Sequence, residues 1–583
     1  MVKCHLCSVK LSIMSENPSW DDEVVNTVRK YALQNSLEYG GRGEVGSVLG
    51  RILSEREDLR SLARELKGIV GKEVDEANEI AESKGLAHVR ELLEKLAPDA
   101  LERKKQEKSV GLKELPGDYS SLVLRFAPNP NGPLSLGHSR GVVINSEYAK
   151  MYGGKVVLRF DDTDTKVKPP IPDAYSWIEE EFEWISGRSA DIVIRASDRM
   201  PIYLDYARKM IQDGHGYVCR CKSEEFREFR NLKEECPCRN KSIEGNIADW
   251  EEMNEGVIEE GGAVVRVKTE MTLPNPALRD WPALRIQHKP HPMVGDKYKV
   301  WPLLDFQSAI EDHEQGVTHI IRGKDLMDST RKQTLLYEHF GWEYPVALYW
   351  GRVKVHEYGG FSTSSIREAI DSGSKEGWDD PRLPTIKALQ RRGFCSDSLR
   401  EFWIDLGLSQ KDISIPLQTL ESFNARIIDP KTERRVFVGD PSEILLEGEL
   451  PTSDLSLPRH PENPKAGNRN WEVGGPVAIQ SSDVGDGVVR LKDFADVKIV
   501  DEYANIESFE KSDERRIIHW LPLKNSRKAI LVIPNGDEIN ELNGLLEDID
   551  LVIGDVYQLE RVGFARLDRF EEDFTAVLIW LHS

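Results

Sequence analysis

A chain of 583 residues is too long for one hydrophobic core, so roughly three to five domains are expected. With 39% hydrophobic and 31% charged residues it fits an ordinary globular protein, and no window approaches the roughly 20 consecutive apolar residues of a spanning helix, so no membrane partner is expected. Seven cysteines, an odd number, argue against a disulfide scaffold, and the N-terminus lacks the apolar stretch of a signal peptide, so a cytoplasmic enzyme is the simplest expectation.

The net charge of −22 neither supports nor excludes a nucleic-acid partner, because binding depends on a local basic surface. In chain order, residues 1–115 read as a charged helical domain. Leu49, Ile52, Leu53, Leu59, Leu62, Leu66 and Ile69 repeat at three and four, and a further helix carries Val89, Leu92, Leu93 and Leu96 before Pro98. This domain reads as a packed appendage with solvated faces or as a holder of RNA. Near Pro116 the texture changes. SLVLRF (121–126) is a strand, APNPNGPLSLG a Pro- and Gly-rich loop, 138–152 a helix and KVVLRFDD (155–162) a second strand. Strand, loop, helix and strand in about 40 residues make a βαβ unit with a parallel sheet. A second half follows: THIIRG (318–323) as strand, STRKQTLLYEHFGW as helix capped by Ser329 or Asp328, and VALYWG (346–351) as strand. Residues 196–303 between the halves read as an insertion. Residues 358–415 form a helical region, and from 416 onward short β runs predict two barrels, with Pro451–Gly475 as an ordered loop between them.

The segment 127–138 is the richest in chemistry. Its prolines and glycines let backbone approach a ligand, and the following helix offers free N–H groups and a positive dipole end, which suits ATP phosphates. His138 at its mouth can donate to a phosphate as charge builds on a leaving group. The plainer alternative is a tight βα connection, since this is not a Walker loop. Cys219, Cys221, Cys236 and Cys238 form two close pairs inside the insertion, able to complete a tetrahedral structural zinc site or to stand as four unligated thiols. Cys4 and Cys7 with His5 make only half a site, and Cys395 reads as packing.

RFAPNPNGPLSLGHSRG, followed by EYAKMYGGKVVLRFDDTD, resembles the first signature of glutamyl- and glutaminyl-tRNA synthetases, with Ser135-Leu136-Gly137-His138 in place of the family's His-Ile-Gly-His. DFQSAIEDHEQGVTHIIRGKDL resembles the family's second half, and IHWLP, RLKDFADVKIV and QLERVGFARLD resemble the barrels of the glutaminyl and archaeal glutamyl branch. The resemblance runs from about residue 118 onward. It implies a multidomain α/β fold, with a Rossmann-type class I catalytic domain split into 116–195 and 304–357, an inserted acceptor-stem-binding domain and C-terminal anticodon-binding β-barrels.

The implied reaction is glutamate activation by ATP with Mg2+, then transfer to the 3′ end of tRNA(Glu) and, as in the archaeal type generally, tRNA(Gln). The implied enzyme is a monomer. Glutamate is assigned to Arg125, Asp161, Ser308 and Arg322. ATP is assigned to Ala127, Pro128, Asn129, Gly137, His138, Ser362, Thr363 and Ser364, with Ser135, His138 and the 362–364 hydroxyls in catalysis. Some glutamyl enzymes hold zinc near the position of Cys219. Arg322 matches an arginine used by glutamyl enzymes and absent from glutaminyl ones, and a guanidinium pairs with a carboxylate through two charge-assisted bonds. A glutaminyl enzyme and a non-catalytic tRNA-binding paralogue are the alternatives. Three departures motivate the latter. Ser135 replaces a histidine, Leu304 stands where a tyrosine is usual, and Phe361-Ser362-Thr363-Ser364-Ser365 lacks the lysine that usually ends the second ATP signature. Arg352, Lys354 and Arg367 are the nearby substitutes.

Overall fold

The computed structural model describes residues 20–97, 100, 111–359, 362–485, 487–511 and 515–583. They divide into two units on either side of the boundary between residues 109 and 110. Cys4, His5, Cys7, Pro98 and Phe361 lie outside the described residues.

The N-terminal unit packs four α-helices, Asp22–Glu38, Val45–Glu55, Ala63–Lys84 and Leu86–Leu96, around Val28, Ile52, Leu66, Val70, Val89 and Leu93. Asp21 caps the first helix by accepting from the Val24 N–H (2.7 Å). The apolar repeat over 49–69 is not one helix: a 3₁₀ segment, Glu57–Leu62, breaks it. Ile52, Leu59 and Leu66 stay buried across the break because their seven-residue spacing survives it, so periodicity alone could not reveal it. Arg56, paired with Glu23 and Asp58, marks the corner.

In the larger unit the parallel strands Val123–Phe126, Lys155–Phe160 and Ile192–Arg195 form one sheet, and His319–Gly323 with Val346–Trp350 another. The halves meet where the Thr318 N–H donates to the Val123 carbonyl (3.0 Å) and the Val123 N–H to the Thr318 hydroxyl (3.1 Å). Beyond that point Val123–Phe126 and His319–Gly323 share no ladder. The chain order reverses there, and in open α/β sheets such a point is where ligands bind, at the C-terminal ends of the strands.

Helix Leu136–Tyr152 lies on this sheet, burying Val142, Val143, Ile144 and Tyr148. Each such burial contributes about 1.5–3 kcal/mol. Its Arg140 is buried and donates to the carbonyls of Gly351 (2.9 Å) and Gly407 (2.8 Å), tying the first half to the segments beyond the second. Helix Met327–Phe340 starts after Leu326, so Asp328 and Ser329 sit in its first turn and neither caps it. Between the halves, an antiparallel four-stranded sheet (Gly216–Cys219, Val264–Val267, Pro282–Ile286, Val300–Pro302) carries its own core with Trp281 and Trp301.

The helical region runs on through Leu417–Ile428, and barrel strands begin at Arg434. Two seven-stranded sheets follow. One starts on Arg434–Arg435 and ends on Phe437–Gly439; the other starts on Ile517–Ile518 and ends on Trp520–Pro522. In each sheet the two end strands follow one another in the chain, so the sheet curls round on itself in a barrel-like form. The segment expected to link the barrels is instead a hairpin, Asp454–Pro458 with Asn468–Glu472, inserted within one of them. Its prolines suggested a loop, but Pro458 ends a strand, a position that strand pairing tolerates.

Glu547, fully buried, joins the two barrels. It accepts from Trp471 Nε1 (2.8 Å) and the Val436 N–H (3.1 Å) and faces Arg469 at 3.2 Å. Glu547→Ala should cost about 3–5 kcal/mol of barrel stability, because Arg469 is left buried without a counter-charge. A urea titration followed by tryptophan fluorescence reads this; an unchanged midpoint would rule out the joint.

Candidate functional site

A cleft of about 1000 Å³ opens at the reversal point, lined by Arg125, Ala127, Pro128, Asn129, Ser135, Gly137, His138, Asp161, Leu304, Arg322, Ser362, Thr363 and Ser364. The residues predicted for the amino acid and for ATP therefore share one cavity, with one exception. Ser308 is buried behind the wall, where its hydroxyl accepts from Arg159 Nη2 (2.5 Å).

The end predicted for the amino acid is a buried charge network. Register places Arg125 opposite Val157, so Arg125 and Arg159 point from the same face of the sheet. Arg159 donates to Asp161 Oδ1 (2.7 Å) and Asp312 Oδ1 (2.7 Å), and Arg125 Nε to the same Asp312 oxygen (3.3 Å). Helix Leu304–Glu314 supplies Gln307, Ser308 and Asp312 from one face, and Gln307 Nε2 also donates to Asp161 Oδ1 (3.0 Å). Burial works against charge on Arg159, but Asp161 and Asp312 outweigh it and hold its pKa above the usual value. Burial likewise opposes the Asp312 carboxylate, and Arg125 and Arg159 overcome it and hold its pKa low. Arg125, paired with Asp312, is made less basic by burial.

Arg322 is buried and has no carboxylate partner among the described residues. Its Nη2 donates to Thr330 Oγ1 (2.6 Å), Gln333 Oε1 (2.9 Å) and the Tyr344 hydroxyl (3.0 Å), all neutral, while its Nε has no partner. Among the described residues, Asp161 and Asp312 are the carboxylates within ion-pair distance of Arg125, Arg159 and Arg322, so three positive charges are directly answered by two negative ones. Asp312 Oδ2, Gln307 Oε1 and Asn129 Oδ1 are further buried polar atoms without partners around this end. The Arg322 guanidinium calls for an anion, and these oxygens, all acceptors, call for a donor such as an ammonium, so a polar ligand carrying both would complete the set.

At the other end, Ser135 caps helix Leu136–Tyr152 in a reciprocal box. Its hydroxyl accepts from the His138 N–H (3.3 Å), and its N–H donates to His138 Nδ1 (3.2 Å). With Nδ1 an acceptor, the ring proton sits on Nε2, free to donate into the cleft. The surrounding protein and the Lys168 ammonium keep this imidazole neutral, holding its pKa below the usual value. The loop is stitched down by the Leu136 N–H to the Pro384 carbonyl (2.8 Å) and the Ile171 N–H to the Pro130 carbonyl (2.8 Å). The second signature is the start of helix Thr363–Asp371, with Ser362 and Ser365 forming another reciprocal cap. Gly132 lets it approach: a Cβ there would lie 2.7 Å from Thr363 Cγ2. Ser365, in the lysine's place, is spent on capping, bonding back to Ser362.

Of the cations proposed to replace that lysine, none lines the cleft. Arg352 and Lys354 are exposed elsewhere, and Arg367 lies 4.0 Å from Asp371. Sequence reading also missed Arg159, Asp312 and Lys168. Arg159 stood two residues before Asp161, the strand spacing that shares a face, and that signal was available. Asp312 and Lys168 carried no such local sign.

Away from the cleft, Cys219, Cys221, Cys236 and Cys238 bring their sulfurs within 4.8 Å of one another, with 3.9 Å for Cys219–Cys236 and 3.7 Å for Cys221–Cys238. A tetrahedron of thiolates around zinc has edges of about 3.8 Å, so the donor set fits that ion. Cys395 packs against the core of the catalytic half. A second cavity, about 560 Å³, is lined by residues of both barrels, among them Arg490, Lys492, Lys511, His519, Gln558 and Arg561.

The family model for the catalytic domain of class I (E and Q) tRNA synthetases matches residues 121–430, and the anti-codon binding domain of the same class matches 432–514. The chain belongs to the class I tRNA synthetases of the E and Q type. Among its relatives, the glutamate–tRNA ligase of Methanosarcina barkeri is 44% identical, over 94% of this chain and 98% of that one. Those of Methanothrix thermoacetophila and Archaeoglobus fulgidus are 42% and 44% identical, over 95% and 94% of this chain and 99% and 98% of theirs.

The unpaired guanidinium makes a stability prediction. Arg322→Met should raise the thermal midpoint by a few degrees, since an apolar side chain replaces an uncompensated buried charge and the Tyr344–Gln333 and Tyr349–Thr330 bonds remain. A lower midpoint in differential scanning fluorimetry would mean that Arg322 is paid for inside the free protein.

Proposed function

We propose that the chain is a glutamate–tRNA ligase, and the observation that carries this is the surplus guanidinium, Arg322, in a buried pocket beside Asp161. Glutamate brings one ammonium and two carboxylates, a net −1 that neutralises the pocket. Its ammonium meets the free oxygen of Asp161, and its side-chain carboxylate meets Arg322 and the unpaired Nη groups of Arg125. Glutamine would leave Arg322 unneutralised, at the cost of an unpaired buried charge. That argues against a glutaminyl enzyme.

ATP enters as its magnesium complex, with its phosphates along 127–138 and the helix start at 362–364. The glutamate α-carboxylate attacks the α-phosphorus, pyrophosphate leaves, and His138 Nε2–H donates to the phosphate oxygens as charge develops. A terminal tRNA hydroxyl then attacks the carbonyl of the adenylate and AMP leaves. No enzyme nucleophile is needed, so positioning by the Arg159–Asp161–Asp312 network supplies most of the rate. Ser135 acts in this by fixing His138, and Ser308 by holding Arg159.

The barrels take the anticodon, with the basic cavity around Gln558 and Arg561 receiving an unstacked base. Both tRNA(Glu) and tRNA(Gln) are charged, and the enzyme acts as a cytoplasmic monomer. Cys219, Cys221, Cys236 and Cys238 hold a structural zinc that ties strand Gly216–Cys219 to the 236–238 turn.

Charging of transcribed tRNA(Glu) and tRNA(Gln) with labelled glutamate and MgATP tests the activity. Both should be charged; failure of both with tRNA binding intact would favour a non-catalytic paralogue. Arg322→Leu should raise KM for glutamate about 100-fold or more, with KM for ATP within about threefold. Equal loss for both substrates would remove Arg322 from its assigned place. Metal analysis of the purified chain should find one zinc, lost in Cys238→Ser; a metal-free, fully folded protein contradicts the zinc assignment.

A further inference from the structure

The second ATP signature of this chain carries no cation. Ser362 and Ser365 cap each other, and the helix they open offers N–H groups and a dipole end, worth far less than a full charge at close range. ATP brings its polyphosphate into the same cleft, so a positive side chain is expected somewhere on its wall. The cleft holds Arg285, Lys332 and Lys168 outside the amino-acid pocket. Arg285 is paired with Asp164 (3.0 Å) and Lys332 with Asp305 (2.7 Å). Lys168 is exposed to the cleft and has no carboxylate partner among the described residues.

Its backbone is held on both sides. The Lys166 and Val167 N–H groups donate to Asp164 Oδ1 (3.0 and 2.9 Å), and the Ile171 N–H donates to the Pro130 carbonyl (2.8 Å). Pro169 and Pro170 stiffen the stretch between. The segment is therefore fastened to the 127–138 loop itself, and Lys168 and His138 line the same cleft. We propose that Lys168, which lines the same cleft as His138, Ser362, Thr363 and Ser364, supplies the cation missing from the second signature and binds the ATP polyphosphate. The assignment rests on the reading of this cleft as an ATP site. It moves a charge normally delivered by the second signature onto a braced segment after the second strand.

The test is equilibrium binding of MgATP, inorganic pyrophosphate and AMP to the full chain by calorimetry, for the unaltered protein, Lys168→Ala and Lys168→Arg. ATP–pyrophosphate exchange is measured in parallel with glutamate and tRNA present. Lys168→Ala should weaken ATP and pyrophosphate about tenfold or more, leave AMP within about twofold, and be largely rescued by arginine. Unchanged ATP affinity in Lys168→Ala overturns the proposal. So does equal weakening of AMP, which places the effect on the nucleotide pocket as a whole. If the unaltered chain binds ATP but shows no exchange, the catalytic reading fails while the binding comparison still decides on Lys168. An unaltered chain that does not bind ATP overturns both.

Discussion

The structure turns on one imbalance of buried charge. Three guanidinium groups converge at the sheet reversal and two carboxylates answer them. Arg159 is the hinge of this arrangement, since it orients Asp161 from one side and shares Asp312 with Arg125 on the other. Burying a charge without a partner is expensive, and proteins that keep one generally use it. Arg322 is fixed by three neutral oxygens, which orient it without neutralising it. The pocket is thereby built before the ligand arrives, and binding energy is not spent on assembling it.

The end proposed for the nucleotide follows a different logic, in which backbone and capping replace side-chain charge. Two helices begin at the cleft, each with a serine at its N-cap and a reciprocal bond from the third helical residue. This explains the odd residues of both signatures. Ser135 costs the site one imidazole but fixes the tautomer of the histidine that remains. Ser365 costs it an ammonium but closes the cap of its own helix. Arg140, bonded to the carbonyls of 351 and 407, and the Leu136–Pro384 bond hold these starts in register with the rest of the domain.

Much of this was legible in the chain. Short apolar runs marked the strands at 123–126, 155–160, 319–323 and 346–350, and the insertion was read as the stretch left between the two βαβ halves. The quoted signatures put Arg125, Asp161, His138 and Arg322 in one site, where the structure brings them together. What escaped was set by long-range packing. Asp312 acts through a helix folded back from residue 304, and Lys168 through loops tied to 130 and 164, so neither has a local pattern. The search for a cation went to neighbours in sequence, whereas the cleft is built from segments nearly 200 residues apart. The N-terminal break at 57–62 and the hairpin at 454–472 were missed for local reasons, a heptad that survives a turn and prolines that strand ends accept.

The most direct test is the relative use of glutamate and glutamine by the unaltered enzyme, as kcat/KM for aminoacylation of the same tRNA. A surplus buried guanidinium should favour glutamate by about 10⁴-fold or more, the scale at which an unsatisfied polar site rejects a near-isostere. Comparable use of glutamine would mean that Arg322 is neutralised by something other than the substrate, and the charge imbalance would no longer explain the choice of amino acid.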